Sequence, residues 1–230
     1  MLSAVIFDFD GVIVNTEPLH FRAMQEVLAP LGLGYSWEDY VAVYIGFDDR
    51  DALRERFKRA DKTLADADLP DLVRRKADAF ERLVIAEGAV PYPGVVRFIR
   101  SLVGQIPVAL CSGALRRDVT PILARLHLDR CFNVMVTADD VKASKPDPES
   151  YLLAVERLKK AYPNVGIRPE ACVAVEDTPA GISAAKGAGV KVLALPNSYD
   201  QAKLADADLV VESLETVSLE GLAKMLDPAR

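Results

Sequence analysis

Two aspartates, Asp8 and Asp10, follow the short apolar run Ala4–Phe7, and Gly11 comes directly after them. In a continuing strand their side chains would share a face, and a bend at Gly11 can bring both to one pocket. One carboxylate can then attack phosphorus and carry it as an acyl phosphate, while the other protonates a leaving oxygen and later takes a proton from water. Alone, Asp-x-Asp-Gly at a strand end is more often a turn than a catalytic pair. Three more groups hold comparable positions. The run Ile106–Leu110 ends at Cys111-Ser112-Gly113, Ala171–Val175 ends at Glu176-Asp177, and Lys145 stands in Ser-Lys-Pro-Asp-Pro beyond Val134–Val136. Phosphoryl transfer asks for such a set: a nucleophile, carboxylates that can share magnesium, and a hydroxyl and a cation for the phosphate oxygens. Each also has a plainer reading. Acids near a helix start suit the helix dipole, a serine at a strand–helix junction caps, and a lone loop lysine is usually solvated. Their common position at strand ends is what those readings leave unexplained.

Strand ends converge when the strands lie side by side and parallel. The runs above, with Val190–Leu195, are continuous and rich in Val, Ile and Leu rather than alternating, which fits a parallel sheet covered on both faces. Between them lie helical patterns at Val95–Val103, Asp118–Leu126 and Pro148–Leu158, the last with Asp147 placed to cap it, and a helix opened by Thr178-Pro179 that runs toward Gly187. The alternation predicts a doubly wound α/β fold, with ligands in the crevice beyond the C-terminal strand ends. Residues from about 15 to 88 carry amphipathic helices instead: His20–Leu28, Trp37–Tyr44, Ala52–Phe57 and Leu72–Ala86, with a capping box from Ser36 to Asp39. The expected division is a core of residues 1–14 and 90–230 and an inserted helical cap of residues 15–89. The last four residues, after Leu226, are expected to fray.

The 230 residues carry a net charge of −6, and short basic stretches such as Arg54–Arg59 sit among acids, so a nucleic-acid partner is not expected. No apolar run approaches the length of a membrane span, and a strand pattern begins at the N-terminus with no basic leader before it. Cys111, Cys131 and Cys172 lie far apart without CxxC spacing, which suits a reducing compartment. The expectation is a cytoplasmic protein, a monomer or weak homodimer, whose partner is a small phosphorylated metabolite.

The residues also resemble the haloacid dehalogenase superfamily. Asp8-Phe9-Asp10-Gly11-Val12 resembles its first motif, Cys111-Ser112-Gly113 its second, Lys145-Pro146 its third and Val175–Gly181 its fourth, in order along nearly the whole chain. The resemblance implies a Rossmann-like core with a helical cap between the first two motifs. It implies Asp8 as nucleophile and Asp10 as general acid and base, with Ser112 and Lys145 holding the transferring phosphoryl group. It further implies magnesium held by Asp8, Asp177 and the backbone carbonyl of Asp10, with Glu176 as a further ligand or an acid behind the ligands. An acid at Asp10 disfavours dehalogenation, which has no leaving oxygen to protonate.

Within the superfamily, phosphatases of sugar phosphates or phosphoglycolate compete with the β-phosphoglucomutase group. Thr16, His20 and Lys76 resemble the mutase hinge and cap. Two departures favour a phosphatase: Asp49 occupies the place of the mutase arginine for the distal phosphate, with Arg50 one step along, and Ser112-Gly113-Ala114-Leu115-Arg116 replaces the mutase loop. By this resemblance the substrate would be met by Gly11, His20, Gly46, Arg50, Lys76, Gly113, Ala114 and Arg116. A non-catalytic binding protein on the same fold is the third reading.

Overall fold

The structure is a computed structural model that describes residues 1–226; the expected fraying of residues 227–230 lies outside them. Six strands form one parallel sheet: β1 (Ala4–Phe7), β4 (Val108–Cys111), β5 (Val134–Val136), β6 (Cys172–Glu176), β7 (Lys191–Ala194) and β8 (Leu209–Val210). Their order is β5-β4-β1-β6-β7-β8, so the chain leaves β1 and later pairs on both of its sides. That reversal opens a crevice beyond the C-terminal tip of β1. Register is tight around it: Phe7 stands opposite Leu110 of β4 and Val175 of β6.

Alternate side chains of each strand enter two separate cores. Val5, Phe7, Val108, Leu110, Val173 and Val175 pack with α5 (Val95–Leu102), α6 (Arg116–Arg125) and α9 (Leu219–Leu226). Ala4, Ile6, Ala109, Cys111, Cys172 and Ala174 pack with α7 (Glu149–Ala161) and α8 (Pro179–Gly187). The result is the doubly wound, Rossmann-like three-layer arrangement expected from the continuous apolar runs. Asp147 accepts a hydrogen bond from the Glu149 amide at the start of α7 (2.9 Å), though Pro148 stands just before the helix rather than in it.

Between β1 and β4 the chain builds α1 (Glu17–Leu28), α2 (Trp37–Asp39), a π-helical turn at Tyr40–Tyr44, α3 (Asp49–Arg59) and α4 (Leu69–Glu87). These enclose a third core of Met24, Val27, Leu28, Leu33, Tyr40, Leu53 and neighbours, and the capping box at Ser36 and Asp39 forms as the pattern predicts. Two strands too short to be read from the sequence, β2 (Val14–Asn15) and β3 (Val90–Pro91), pair antiparallel where the chain enters and leaves this helical insert. The insert rests on the sheet layer. Ser144 Oγ bonds Asp51, Arg117 reaches Asp78 at 2.6 Å, and Arg125 reaches the Val84 carbonyl at 3.3 Å. Among the described residues, no helix is long and apolar enough to cross a membrane.

Candidate active site

Asp8 is the first residue past β1, and its amide donates to the Val175 carbonyl (3.0 Å), so the sheet register itself fixes the backbone from which its carboxylate projects. Lys145 enters from the loop after β5. It is buried, and its three N–H groups meet Asp8 Oδ1 (3.0 Å), Glu176 Oε1 (2.6 Å) and the Cys111 carbonyl (3.1 Å). Tyr151 of α7 donates to the same Glu176 oxygen (2.6 Å). Both Glu176 oxygens are thereby engaged, since Oε2 takes the Asp177 amide (3.2 Å). Asp8 Oδ2 remains open to the pocket.

Asp177 differs. It is fully buried and neither of its oxygens makes a well-formed hydrogen bond, although Ser198 lies alongside. Asp8, Glu176 and Asp177 each offer an oxygen within 4.8 Å of the others. Burial, and then the Asp8 and Glu176 charges, push the Asp177 carboxyl well above its usual range. Burial and the Glu176 charge likewise raise Asp8, against the pull of Lys145. Crowded buried carboxylates with unfilled lone pairs fit a hard cation that prefers oxygen ligands. Of these three carboxylates, Asp8 and Asp177 are free to ligate, while Glu176 is committed to Lys145 and Tyr151 and holds them.

Two glycines make this packing possible. Gly11 has φ +76, and a Cβ there would overlap the Asp177 carboxylate. A Cβ on Gly181 would overlap the Glu176 carboxylate, in the turn where Thr178 caps α8 by accepting from the Gly181 amide (3.0 Å). The loop after Asp8 closes on Phe9, whose carbonyl takes the Ile13 amide at 2.8 Å. Asp10 is carried into the pocket on that loop, and its Oδ1 accepts from Thr16 and from His20 Nε2 (3.2 Å). Burial raises Asp10, but His20 and the Thr16 hydrogen bond outweigh it, and the carboxyl falls below its usual range.

His20 lies flat on Phe80, and its Nδ1 is 2.6 Å from Lys76 Nζ. An ammonium only donates, so Nδ1 accepts and the ring proton sits on Nε2, facing Asp10. Lys76, from α4, is 1% exposed and also pairs with Asp49 (2.7 Å). A chain Asp49–Lys76–His20–Asp10 therefore links the insert to the strand tip. One cleft, with about 730 Å³ of free space partly open to solvent, is lined by Asp8, Asp10, His20, Gly46, Lys76, Gly113, Ala114 and Lys145. Ser112 lines a small adjoining cavity; its Oγ accepts from the Ala114 amide (3.0 Å), leaving its own proton to donate. Three expected substrate residues do not line the cleft, the first being Gly11, which packs against Asp177. Arg50 is held by Asp48 (2.6 Å), and Arg116 is exposed and bonded to Asp140 (2.8 Å).

The cleft also contains residues that sequence reasoning did not single out: Glu17, Met24, Tyr40, Tyr44, Phe47 and Ala52. Glu17 follows Thr16 in the first turn of α1, where an acid reads simply as a favourable dipole partner. Tyr40 donates to Glu17 Oε2 across the cleft wall.

The family description of haloacid dehalogenase-like hydrolases matches residues 5–195, which include Asp8, Asp10, Ser112, Lys145, Glu176 and Asp177. The chain belongs to the haloacid dehalogenase-like hydrolase family. Its similarity to curated members of that family lies on the phosphatase side. A phosphorylated carbohydrates phosphatase of Thermotoga maritima is 35% identical over 83% of this chain and 83% of its own length. The fructose-1-phosphate phosphatase YqaB of Escherichia coli is 34% identical over 82% of this chain and 93% of its own. Among solved structures, CbbY from Rhodobacter sphaeroides in complex with phosphate superposes with a TM-score of 0.83 at 29% identity, covering 96% of this chain and 99% of that one. The chain is thus a haloacid dehalogenase-like enzyme of the phosphatase kind.

Proposed function

We propose that this chain hydrolyses the phosphate monoester of a small metabolite, a sugar phosphate or phosphoglycolate, with magnesium and through a phosphoryl group carried on Asp8. The observation that carries this reading is Lys145, buried between Asp8 and Glu176 beside an Asp177 carboxylate without a partner. In the first half, Asp8 Oδ2 attacks phosphorus, the ester P–O bond breaks, and the leaving oxygen takes a proton from Asp10. In the second half, water attacks the phosphorus of the aspartyl phosphate while Asp10 takes its proton, releasing inorganic phosphate and restoring Asp8. A phosphate dianion brought beside Asp10 raises its proton affinity, which prepares an acid that is ionised in the free pocket. Ser112 donates to a phosphate oxygen, and Lys145 supplies charge and holds Asp8 in place. Asp8, Asp177 and the backbone carbonyl of Asp10 would hold magnesium, which when bound would supply positive charge to the phosphate oxygens. The insert of residues 15–89 serves as a cap over a core of residues 1–14 and 90–230, excluding water from the first half-reaction.

The test is a panel of phosphate monoesters assayed for phosphate release with and without magnesium, with a rapid acid quench to trap phosphate on Asp8. Absence of magnesium-dependent release from every ester would sink the reading. Intramolecular transfer between sugar oxygens is the second reading, favoured by the mutase-like His20–Lys76 link. With β-glucose 1-phosphate it yields glucose 6-phosphate where hydrolysis yields inorganic phosphate.

A further inference from the structure

The phosphate end of the cleft is set by Asp8, Lys145 and the Ser112–Ala114 turn, and the remaining wall must meet the leaving group. Among the described residues that line this wall, Glu17 and Asp49 are acids and Lys76 is the one lysine or arginine. Lys76 is spent: Asp49 pairs with it at 2.7 Å and His20 Nδ1 lies at 2.6 Å. His20 turns Nε2 to Asp10 and Nδ1 to Lys76, so neither ring nitrogen is free to meet a substrate carboxylate. Arg50, the neighbouring cation, is turned to Asp48 and the Ala138 carbonyl and does not line the cleft. Among the described residues, the wall therefore holds no cation free of a partner. Its uncharged part is aromatic and apolar, with Tyr40, Tyr44, Phe47 and Met24.

We infer that this wall selects phosphomonoesters whose leaving group is an uncharged polyol and turns away leaving groups that carry a carboxylate. The inference rests on the phosphatase reading and narrows its substrate class. Hydroxyl groups donate, and the wall supplies acceptors: Glu17 gives Oε2 to Tyr40 and keeps Oε1, and Asp49 gives Oδ1 to Lys76 and keeps Oδ2. The rings and the methionine cover the C–H faces of a sugar or polyol. A substrate carboxylate would lie beside Glu17 in a partly desolvated cleft with no cation left to meet it, and such like-charge contacts discriminate strongly. Arg54, Lys58 and Lys142 line an outer groove, so a short leaving group is the sharper probe because it cannot reach them.

The experiment compares matched pairs that differ only in CH2OH against carboxylate: glycerol 3-phosphate with 3-phosphoglycerate, and sorbitol 6-phosphate with 6-phosphogluconate, each with magnesium. The neutral member of each pair is expected to have the higher kcat/KM, by about a hundredfold. Glu17→Gln should shrink that ratio to about tenfold, chiefly by lowering KM for the acidic member. Should Glu17→Gln not fold, Asp49→Asn carries the same expectation. Equal turnover within the pairs, or a ratio unmoved in a folded variant, overturns the inference and leaves the phosphatase reading standing. No turnover of any of the four esters, nor of any ester in the broader panel, overturns both.

Discussion

At one end, the cleft is made of strand tips; at the other end, it is made of helix faces. Asp8, Ser112 and Asp177 each follow a strand directly, and the backbone bonds between β1, β4, β5 and β6 hold them in register. The opposite wall is assembled from α1, the Tyr40–Tyr44 turn, α3 and α4, which contribute one or a few side chains each. There the positions depend on side-chain pairing: Tyr40 to Glu17, Lys76 to Asp49 and His20. A wall of paired side chains can change by substitution without disturbing the sheet. At a strand tip the backbone belongs to the ladder, so the direction of the side chain is fixed by the sheet. On the proposed reading, chemistry is lodged where the backbone is least free, and selection where it is freest.

Substitutions at the strand tips should break the chemistry outright. Asp8→Asn is expected to lower kcat by at least about ten-thousandfold, since the amide is no nucleophile, with a thermal melt close to or above that of the wild type. A burst of acid-stable phosphoenzyme in that variant would remove Asp8 from the mechanism. Lys145→Met should come next. It leaves Asp8 and Glu176 facing each other without a cation, so it should cost about 3–5 kcal/mol in urea unfolding as well as most activity. A variant that is inactive yet fully stable would show that the lysine serves only the substrate.

A substitution on the helix side should give a graded result. Lys76→Met removes the donor that fixes His20's tautomer, and Asp49, being partly exposed, can rehydrate. We expect a loss of about tenfold to a hundredfold in kcat and a changed pH profile, because Asp10 no longer faces an oriented N–H. An unchanged profile would show that His20 is held by Phe80 stacking alone.

This difference in construction also explains what could be read from the sequence. Asp8, Asp10, Ser112, Lys145, Glu176 and Asp177 were legible because a parallel sheet puts strand ends together, and a short apolar run announces each one. Gly11 and Gly181 fall inside the same motifs, but their reason, contact with a buried carboxylate, is purely spatial. Arg50 and Arg116 were substrate residues by resemblance, yet each turns to an acid outside the cleft: Asp48, two residues away, and Asp140, 24 residues on. Pairing of that kind has no period to detect. Glu17, Tyr40 and Tyr44 were missed for a similar reason, since on a helix they read as a dipole partner and as apolar-face aromatics. β2, β3 and β8 are two residues long, too short to leave a pattern.

The seam between the two constructions holds one more carboxylate, and it offers the smallest and most specific test. Asp118, in the first turn of α6, is 5% exposed, and neither oxygen has a hydrogen-bond partner. Arg117 Nε lies 3.8 Å away, and α4 brings Lys76 to the same place, with Asp49 and His20 beside it. Burial dominates over these charges and pushes the carboxyl up to about 6. A folded-state value above the unfolded one means the folded protein holds the proton longer, so the group favours folding at low pH. That contribution is complete below about pH 4 and is lost as pH rises through about 6. Asp118→Asn should therefore stabilise the protein at pH 7 by up to about 3 kcal/mol, the worth of a shift of about two pKa units, and have little effect at pH 4. Urea unfolding of both proteins at pH 4, 5.5 and 7 measures it. If the two curves stay parallel across that range, Asp118 is paired in solution, and the seam is tighter than its unpartnered oxygens imply.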